Sequence, residues 1–372
     1  MPYPVRILQV VFQMNRAGLE TMLMNYYRNI DREKIQFDFL MCHEGDFDYD
    51  TEIRAMGGKI YHIPSITIKK GISSWKALRK FFAMHQEYKI VHCHLDAFSA
   101  FVLRAAKKAN VPIRIAHSHN NGFPLDKKLL LRYIAKSFIP IYATDFWGCS
   151  QSALQFMFGK RVAINTNLWI LPNAIDIKKF TYCPEIRLQK RASLKVSNKF
   201  VVGHIGRLCP QKNQVFLLDI FHELHHIYPQ SILMLIGTGQ DERQLKEKVL
   251  KLGLESKVLF LGVQENIPDL LQAMDVFIFP SRFEGFGIAL LEAEAVGLPC
   301  IASDTIAPEA NVNGKVLFLS LRQHAKIWAR TALIYKDKQN RKVINIEESD
   351  YEIGKASALL QQKYLHLWGN SV

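Results

Sequence analysis

At 372 residues, with 49% hydrophobic, 22% charged and 11% aromatic side chains, the chain is too long for one average domain and too apolar to be disordered. Its six cysteines are scattered, with no Cys-x-x-Cys pair and no histidine spacing that suits zinc, which fits free thiols in a reducing compartment. The net charge of +14 is uneven: residues 1–180 carry 25 Lys+Arg against 14 Asp+Glu and the remainder 23 against 20, a field suited to an anionic partner or simply to solubility.

The leading residues MPYPVRILQVVFQ hold an apolar run too short for a signal-peptide core, and no stretch reaches the roughly 20 apolar residues of a membrane span. A cytoplasmic protein is expected. Short β-branched runs then alternate with segments of helical period. Strands are expected at Val5–Phe12, Phe37–Cys42, Lys59–Ile63, Ile90–His94, Ile113–His117 and Asp145–Cys149, with helices at Glu20–Asn29, Trp75–Glu87, Phe98–Ala109 and Leu129–Ile139. Around Ile170–Asn198 the alternation breaks into LPNAIDIKKFTYCPE and a basic polar stretch, the best linker candidate. It restarts with strands at Phe200–Ile205, Ile232–Ile236, Lys257–Leu261, Asp275–Pro280 and Cys300–Ser303, and helices at Val215–Ile227, Glu242–Leu252 and Gly287–Val296. The tail from Tyr351 to Trp368 has helical spacing. The expected architecture is α/β, with two doubly wound domains over residues 1–178 and 199–345 and a helix within 350–372 packing back toward the first. Ligands of such folds bind beyond the carboxyl ends of the strands, in a cleft.

Two segments combine a strand end, a turn and a helix start. In FEGFGIALLEA the glycines allow a tight turn, and the first helical N–H groups are free to hold phosphate. Glu284 on the loop and Glu292 two turns into the helix read singly as solvated carboxylates and together as a grip on sugar hydroxyls. The loop position of Glu284 implies little role in packing. In GRLCPQKN, Arg207 offers a fork and Lys212 a point charge at a strand end where a diphosphate would lie, or else they form an ordinary basic helix entry.

GRLCPQKN, IGTG after the next strand, LG after the one beyond and FEGFGIALLEAEAVGLPCIASD resemble the retaining family 4 glycosyltransferases of GT-B fold, especially bacterial exopolysaccharide and capsule transferases. RAGLE, VHCH, RIAHSHN and LPNAID extend the resemblance over most of the chain. It implies a hexosyltransferase that moves a sugar from a nucleotide-diphosphate sugar, UDP-linked, to a saccharide or lipid-linked saccharide, with no cofactor or metal. Arg207 and Lys212 would hold the diphosphate, the backbone N–H groups of Phe286, Gly287 and Ile288 phosphate or sugar oxygens, Glu284 the transferred sugar, Glu292 the ribose, and the backbone near Gly262–Asn266 the base. His117 would hydrogen-bond the donor sugar, and Gly18 would let the first loop approach the diphosphate. Ala17 stands where relatives usually carry a second glycine, which leaves the geometry of that loop open.

Other residues read more plainly. His92 and His94 suit structural or acceptor-side roles better than metal ligation; His94 and Asp96 are assigned to the acceptor side. Asp46 to Asp50 reads as a solvated turn, and His225-His226 as helix surface. The segment Asp126–Ile139 sets lysines beside an apolar stripe, either a helix lying on an anionic membrane surface or a buried core helix with basic flanks. No helix-turn-helix, stacking strip or finger supports nucleic-acid binding. A sugar phosphorylase, a nucleotide-sugar epimerase and a non-catalytic sugar-nucleotide module remain the competing readings.

Overall fold

The computed structural model describes residues 4–66, 71–159, 167–336, 341 and 349–370. Two compact units emerge, one of Met1–Ala174 with Ile353–Val372, the other of Ile175–Glu352.

The first unit runs β1 (Val5–Val11), α1 (Gly18–Asn29), β2 (Ile35–Met41), α2 (Asp50–Ala55), β3 (Ile60–His62), α3 (Gly71–Met84), β4 (Ile90–Cys93), α4 (Ser99–Lys108), β5 (Ile113–Ser118), α5 (Leu129–Tyr142), β6 (Asp145–Gly148), α6 (Gln151–Phe158) and β7 (Asn167–Ile170). The strands pair in parallel in the order β3-β2-β1-β4-β5-β6-β7. Parallel neighbours need a crossover, and the intervening helices supply it while covering both faces, so β1, β2 and β4 are almost wholly buried. The order reverses between β1 and β4, the place where such sheets open a crevice at their carboxyl ends.

In the second unit come α7 (Pro184–Ser193), β8 (Phe200–Ile205), α8 (Gln214–Ile227), β9 (Ser231–Ile236), α9 (Glu242–Lys251), β10 (Val258–Phe260), α10 (Ile267–Ala273), β11 (Val276–Phe279), α11 (Ile288–Ala295), β12 (Cys300–Ser303), β13 (Leu317–Leu319) and α12 (Ala325–Leu333). Its parallel sheet has the order β10-β9-β8-β11-β12-β13, with the reversal between β8 and β11. Val202, Leu218, Leu233, Ile278 and Trp328 are among the buried side chains of its core.

The final helix, α13 (Ile353–Gly369), belongs to the first unit. Gln361 accepts the Asp31 N–H at 3.0 Å, and the Tyr364 ring packs 5.5 Å from that of Trp147 on β6.

The basic stretch read as linker is α7. Pro184 sits in its first turn, where the missing N–H costs nothing. Arg187 and Arg191 reach Asp275 at 2.5 and 3.0 Å and donate to the carbonyls of Gln272, Ala273 and Met274, neutralising the carboxyl end of α10. α6, α10, α12, β7 and β13 are likewise elements that periodicity did not show, each nine residues or fewer.

Candidate active site

At the reversal of the second sheet, β8 leads through Gly206–Asn213 into α8, and β11 leads through Pro280–Gly287 into α11. The two loops are stitched together. The Arg282 N–H donates to the Gln211 carbonyl at 2.8 Å, Gln211 Nε2 to the Phe283 carbonyl at 3.0 Å, and Asn213 Nδ2 to the Pro280 carbonyl at 3.2 Å. The loop after β9 closes on them: a Cβ at Gly237 would stand 2.3 Å from the Gly206 oxygen and one at Gly239 2.2 Å from that of Leu208, so only glycine fits. The Gly237 N–H in turn donates to the Gly262 carbonyl at 2.8 Å.

The sequence-predicted residues Lys212 and Glu284 meet here. Lys212 Nζ lies 2.6 Å from Glu284 Oε1 and 4.8 Å from the centre of the Phe279 ring. Glu284 is 6% exposed, which corrects its reading as a solvated carboxylate with little part in packing: an acid so placed is tolerated because a cation faces it. Arg207 is exposed at the same strand end, while its carbonyl accepts Gln214 Nε2 at 2.9 Å.

Gly287 caps α11 at φ +88, and a Cβ there would fall 2.9 Å from the Phe279 ring. The turn it makes leaves the N–H groups of Phe286, Gly287 and Ile288 without an intrahelical acceptor at the positive end of the helix. Since α11 is buried along its whole length, Glu292 is not the solvated carboxylate of the single-residue reading; burial pushes its carboxyl up to about 8. Glu294, which sequence reasoning passed over, accepts the Asn313 N–H at 2.9 Å and is pushed up to about 7 by burial.

The first unit gathers four histidines at the carboxyl ends of β4 and β5. His92 Nε2 lies 3.0 Å from His117 Nδ1, and His92 Nδ1 lies 2.6 Å from the Tyr364 hydroxyl. His94 sits between Gln9 Oε1, 2.8 Å from its Nε2, and His119 Nε2, 2.9 Å from its Nδ1. Gln9 Nε2 donates to the Tyr364 hydroxyl at 3.2 Å and closes the network. Burial drives the pKa values of His92, His94 and His117 well below the usual imidazole range, and that of His119 to about 3, so all four rings are neutral at pH 7. His117 is 1% exposed, and its Nε2 has no hydrogen-bond partner among the described residues. Among those residues, His92, His94 and His117 are the group whose ligand atoms fall within 4.8 Å of one another, but the ring nitrogens are already spent on hydrogen bonds, His117 Nε2 apart.

Asp96, at φ +46, accepts the His119 N–H at 3.2 Å and Asn120 Nδ2 at 2.8 Å, so it joins His94 in this cluster through His119. Gln9, His119 and Tyr364 were missed in the sequence. The signal was present in part: His92 and His94 on one strand and His117 and His119 on its parallel neighbour share a spacing of two, which puts each pair on one face. Gly18 is the exposed first residue of α1, and Ala17 before it has φ −136, extended backbone open to any residue. Asp46 and Asp48 are exposed, but Asp50 is 2% exposed and burial raises its carboxyl pKa, so the solvated turn extends only to Asp48. His225 is half-buried and bonded to Ser231 Oγ at 2.9 Å, with His226 exposed beside it.

α5 is not a buried core helix. Ile139 is its one buried residue; Leu130, Ile134, Phe138 and Ile141 lie on one exposed stripe, with Leu130 73% exposed. No helix among the described residues is long and apolar enough to cross a membrane.

Residues 185–349 match the family described as glycosyl transferases group 1. EpsF of Bacillus subtilis (strain 168), named as a glycosyltransferase, is 35% identical over 332 residues, covering 88% of this chain and 86% of that one. The UDP-Gal:alpha-D-GlcNAc-diphosphoundecaprenol alpha-1,3-galactosyltransferase of Escherichia coli is 28% identical over 83% of this chain and 80% of its own. Among solved structures, Anabaena Alr3699/HepE in complex with UDP and glucose superposes with a TM-score of 0.78 at 21% identity, over 96% of this chain and 98% of that one.

Proposed function

The chain belongs to the group 1 glycosyl transferases and has their GT-B fold, and on that premise we propose that it transfers a hexose, with retention of configuration, from a UDP-sugar to a lipid-linked saccharide in cell-surface polysaccharide assembly. The observation that carries the reading is the β8–β11 reversal, where Lys212, Glu284, Arg207 and the amino end of α11 converge. Arg207, Lys212 and the N–H groups of Phe286, Gly287 and Ile288 hold the diphosphate, two cations and a helix end sufficing without a metal. Glu284 orients the transferred sugar and Glu292 takes the ribose hydroxyls. Gly262 and the backbone beyond it face the base, and Gly18 leaves room beside the diphosphate.

In the reaction the bond from the anomeric carbon to the β-phosphate oxygen breaks, with the electron pair leaving on the phosphate. The acceptor hydroxyl attacks the same face and gives its proton to the departing phosphate, so no protein nucleophile is consumed. Lys212 and Arg207 neutralise the charge that grows on the diphosphate. His117 donates to a sugar hydroxyl, and His94 with Asp96 lies on the acceptor side. The diphosphoundecaprenol in the name of the Escherichia coli relative supports a lipid-linked acceptor, and UDP with glucose in the Anabaena structure supports a UDP-sugar donor. The exposed stripe of α5 beside the exposed Lys127 and Lys128, in the half that holds most of the net charge, supports docking on anionic lipid.

The test incubates the protein with UDP-sugars and a lipid-diphosphate-linked saccharide in chelator and reads the product linkage by NMR. An α-linked product from an α-linked donor is expected. Turnover that needs inorganic phosphate would make it a phosphorylase, conversion of donor without acceptor an epimerase, and UDP binding without turnover a non-catalytic module.

A further inference from the structure

The hydrogen bonds around His117 have a direction. Gln9 Oε1 is 2.8 Å from His94 Nε2 and can only accept, so His94 carries its proton on Nε2 and presents a bare Nδ1 to His119 Nε2–H. The amide group of Gln9 then donates to the Tyr364 oxygen, and the Tyr364 O–H is left for His92 Nδ1 at 2.6 Å. A neutral imidazole holds one proton. His92, accepting at Nδ1, carries it on Nε2 and donates to His117 Nδ1 at 3.0 Å. His117 must then carry its own proton on Nε2, the buried ring nitrogen without a partner among the described residues. A buried donor left open in a network otherwise satisfied marks a place where a ligand supplies the acceptor.

We propose that Tyr364 and His92 are positioning residues that fix His117 in the Nε2–H tautomer, so that the C-terminal helix of the first unit sets the polarity of the group offered to the donor sugar. That the acceptor is a sugar hydroxyl rests on the reading of His117 under the proposed function. Three buried imidazoles and the half-buried His119, all neutral, fit a relay that moves no charge. Tyr364 is suited to the task because its ring is held by Trp147 at 5.5 Å and Phe37 at 5.9 Å, so the hydroxyl is aimed by packing.

The experiment labels the full chain with ¹⁵N-histidine and reads the tautomers from two-bond ¹H–¹⁵N spectra, with His117 assigned by its loss in His117→Asn. The wild type is expected to show His117 protonated on Nε2 alone. Tyr364→Phe keeps the ring and removes the hydroxyl; it should give a mixture of His117 tautomers. Its turnover should fall roughly 10–100-fold, as when the group orienting a functional imidazole is lost, with UDP affinity and donor KM near wild type. A His117 Nδ1–H tautomer in the wild type overturns the relay whether or not the variant folds, and so does an unchanged tautomer in folded Tyr364→Phe. A changed tautomer with wild-type turnover upholds the relay and removes His117 from transfer, which separates the two readings.

Discussion

Lys212 Nζ and Glu284 Oε1, 2.6 Å apart with side chains 18% and 8% exposed, tie the loop that follows β8 to the loop that follows β11. Neither loop could hold its charged residue so far from water alone. Removing the carboxylate charge by Glu284→Gln leaves the half-buried Lys212 a neutral amide oxygen in place of its counter-charge, beside the Phe279 ring, at a cost of about 1–3 kcal/mol, below the 3–5 kcal/mol of a wholly buried pair. Turnover is expected to fall about 10²–10³-fold, as on loss of one preorganised electrostatic group. Denaturant unfolding and product release on the same preparation check both; wild-type values in each would remove the pair from both roles.

Arg207 contrasts with its neighbour, being exposed and carrying no side-chain partner among the described contacts. Arg207→Ala should leave the melting midpoint unchanged while weakening UDP binding by roughly 10–100-fold, the range of a lost charge-assisted hydrogen bond. Calorimetric titration with UDP reads the loss, and an unchanged affinity would place the diphosphate elsewhere.

Burial raises the Glu292 carboxyl pKa to about 8, so it is largely protonated below that pH. Ribose hydroxyls donate best to the ionised carboxylate and would pull its pKa down, so UDP binding near pH 7 should expel a proton and tighten as pH rises toward about 8. Titrations in two buffers of different ionisation enthalpy measure the proton; in Glu292→Gln this increment should vanish. An equal proton release in both proteins would exclude Glu292 from the ribose.

The buried His92, His94 and His117 and the half-buried His119 bind protons readily when unfolded, near 6.5, and poorly when folded. As pH falls below 6.5 the unfolded chain takes up protons that the native first unit refuses, and each ring removes up to about 1.4 kcal/mol of stability per pH unit. Glu292 and Glu294 act oppositely: their native pKa values, about 8 and 7, lie above the unfolded 4.5, so in that interval the native state holds the extra protons and the second unit loses stability as pH rises. Melting midpoints measured from pH 5 to 8.5 should therefore peak near 6.5. A midpoint that keeps rising into acid would show that the histidines are hydrated or charged in the native first unit.

The exposed stripe of α5 predicts that Leu130→Asp with Phe138→Asp abolishes co-sedimentation with anionic vesicles while leaving UDP affinity at the wild-type value. Wild-type protein should bind these vesicles, and neutral ones far less at low salt. Equal recovery from both kinds of vesicle would remove the lipid surface as its partner.

By itself the sequence determined the two doubly wound halves and the glycine-turn loops that follow the strands of the second. Alternating apolar runs must lie in buried parallel strands, and turn glycines followed by a helical period leave free N–H groups wherever they occur. The places of Arg207, Lys212, Glu284 and Glu292 in those segments were legible for that reason, each standing at a fixed offset from a strand end. What a side chain touches across the sheet was not. α7 looked like a linker because its partners, Asp275 and the end of α10, come much later in the chain. α5 could have been buried or exposed, because its stripe has the same period in either case. The tertiary structure alone decided that Glu284 is buried against Lys212 and that Tyr364 reaches His92. Burial and hydrogen-bond polarity belong to the packed neighbourhood, and elements far apart in sequence supply that neighbourhood only once the chain has folded.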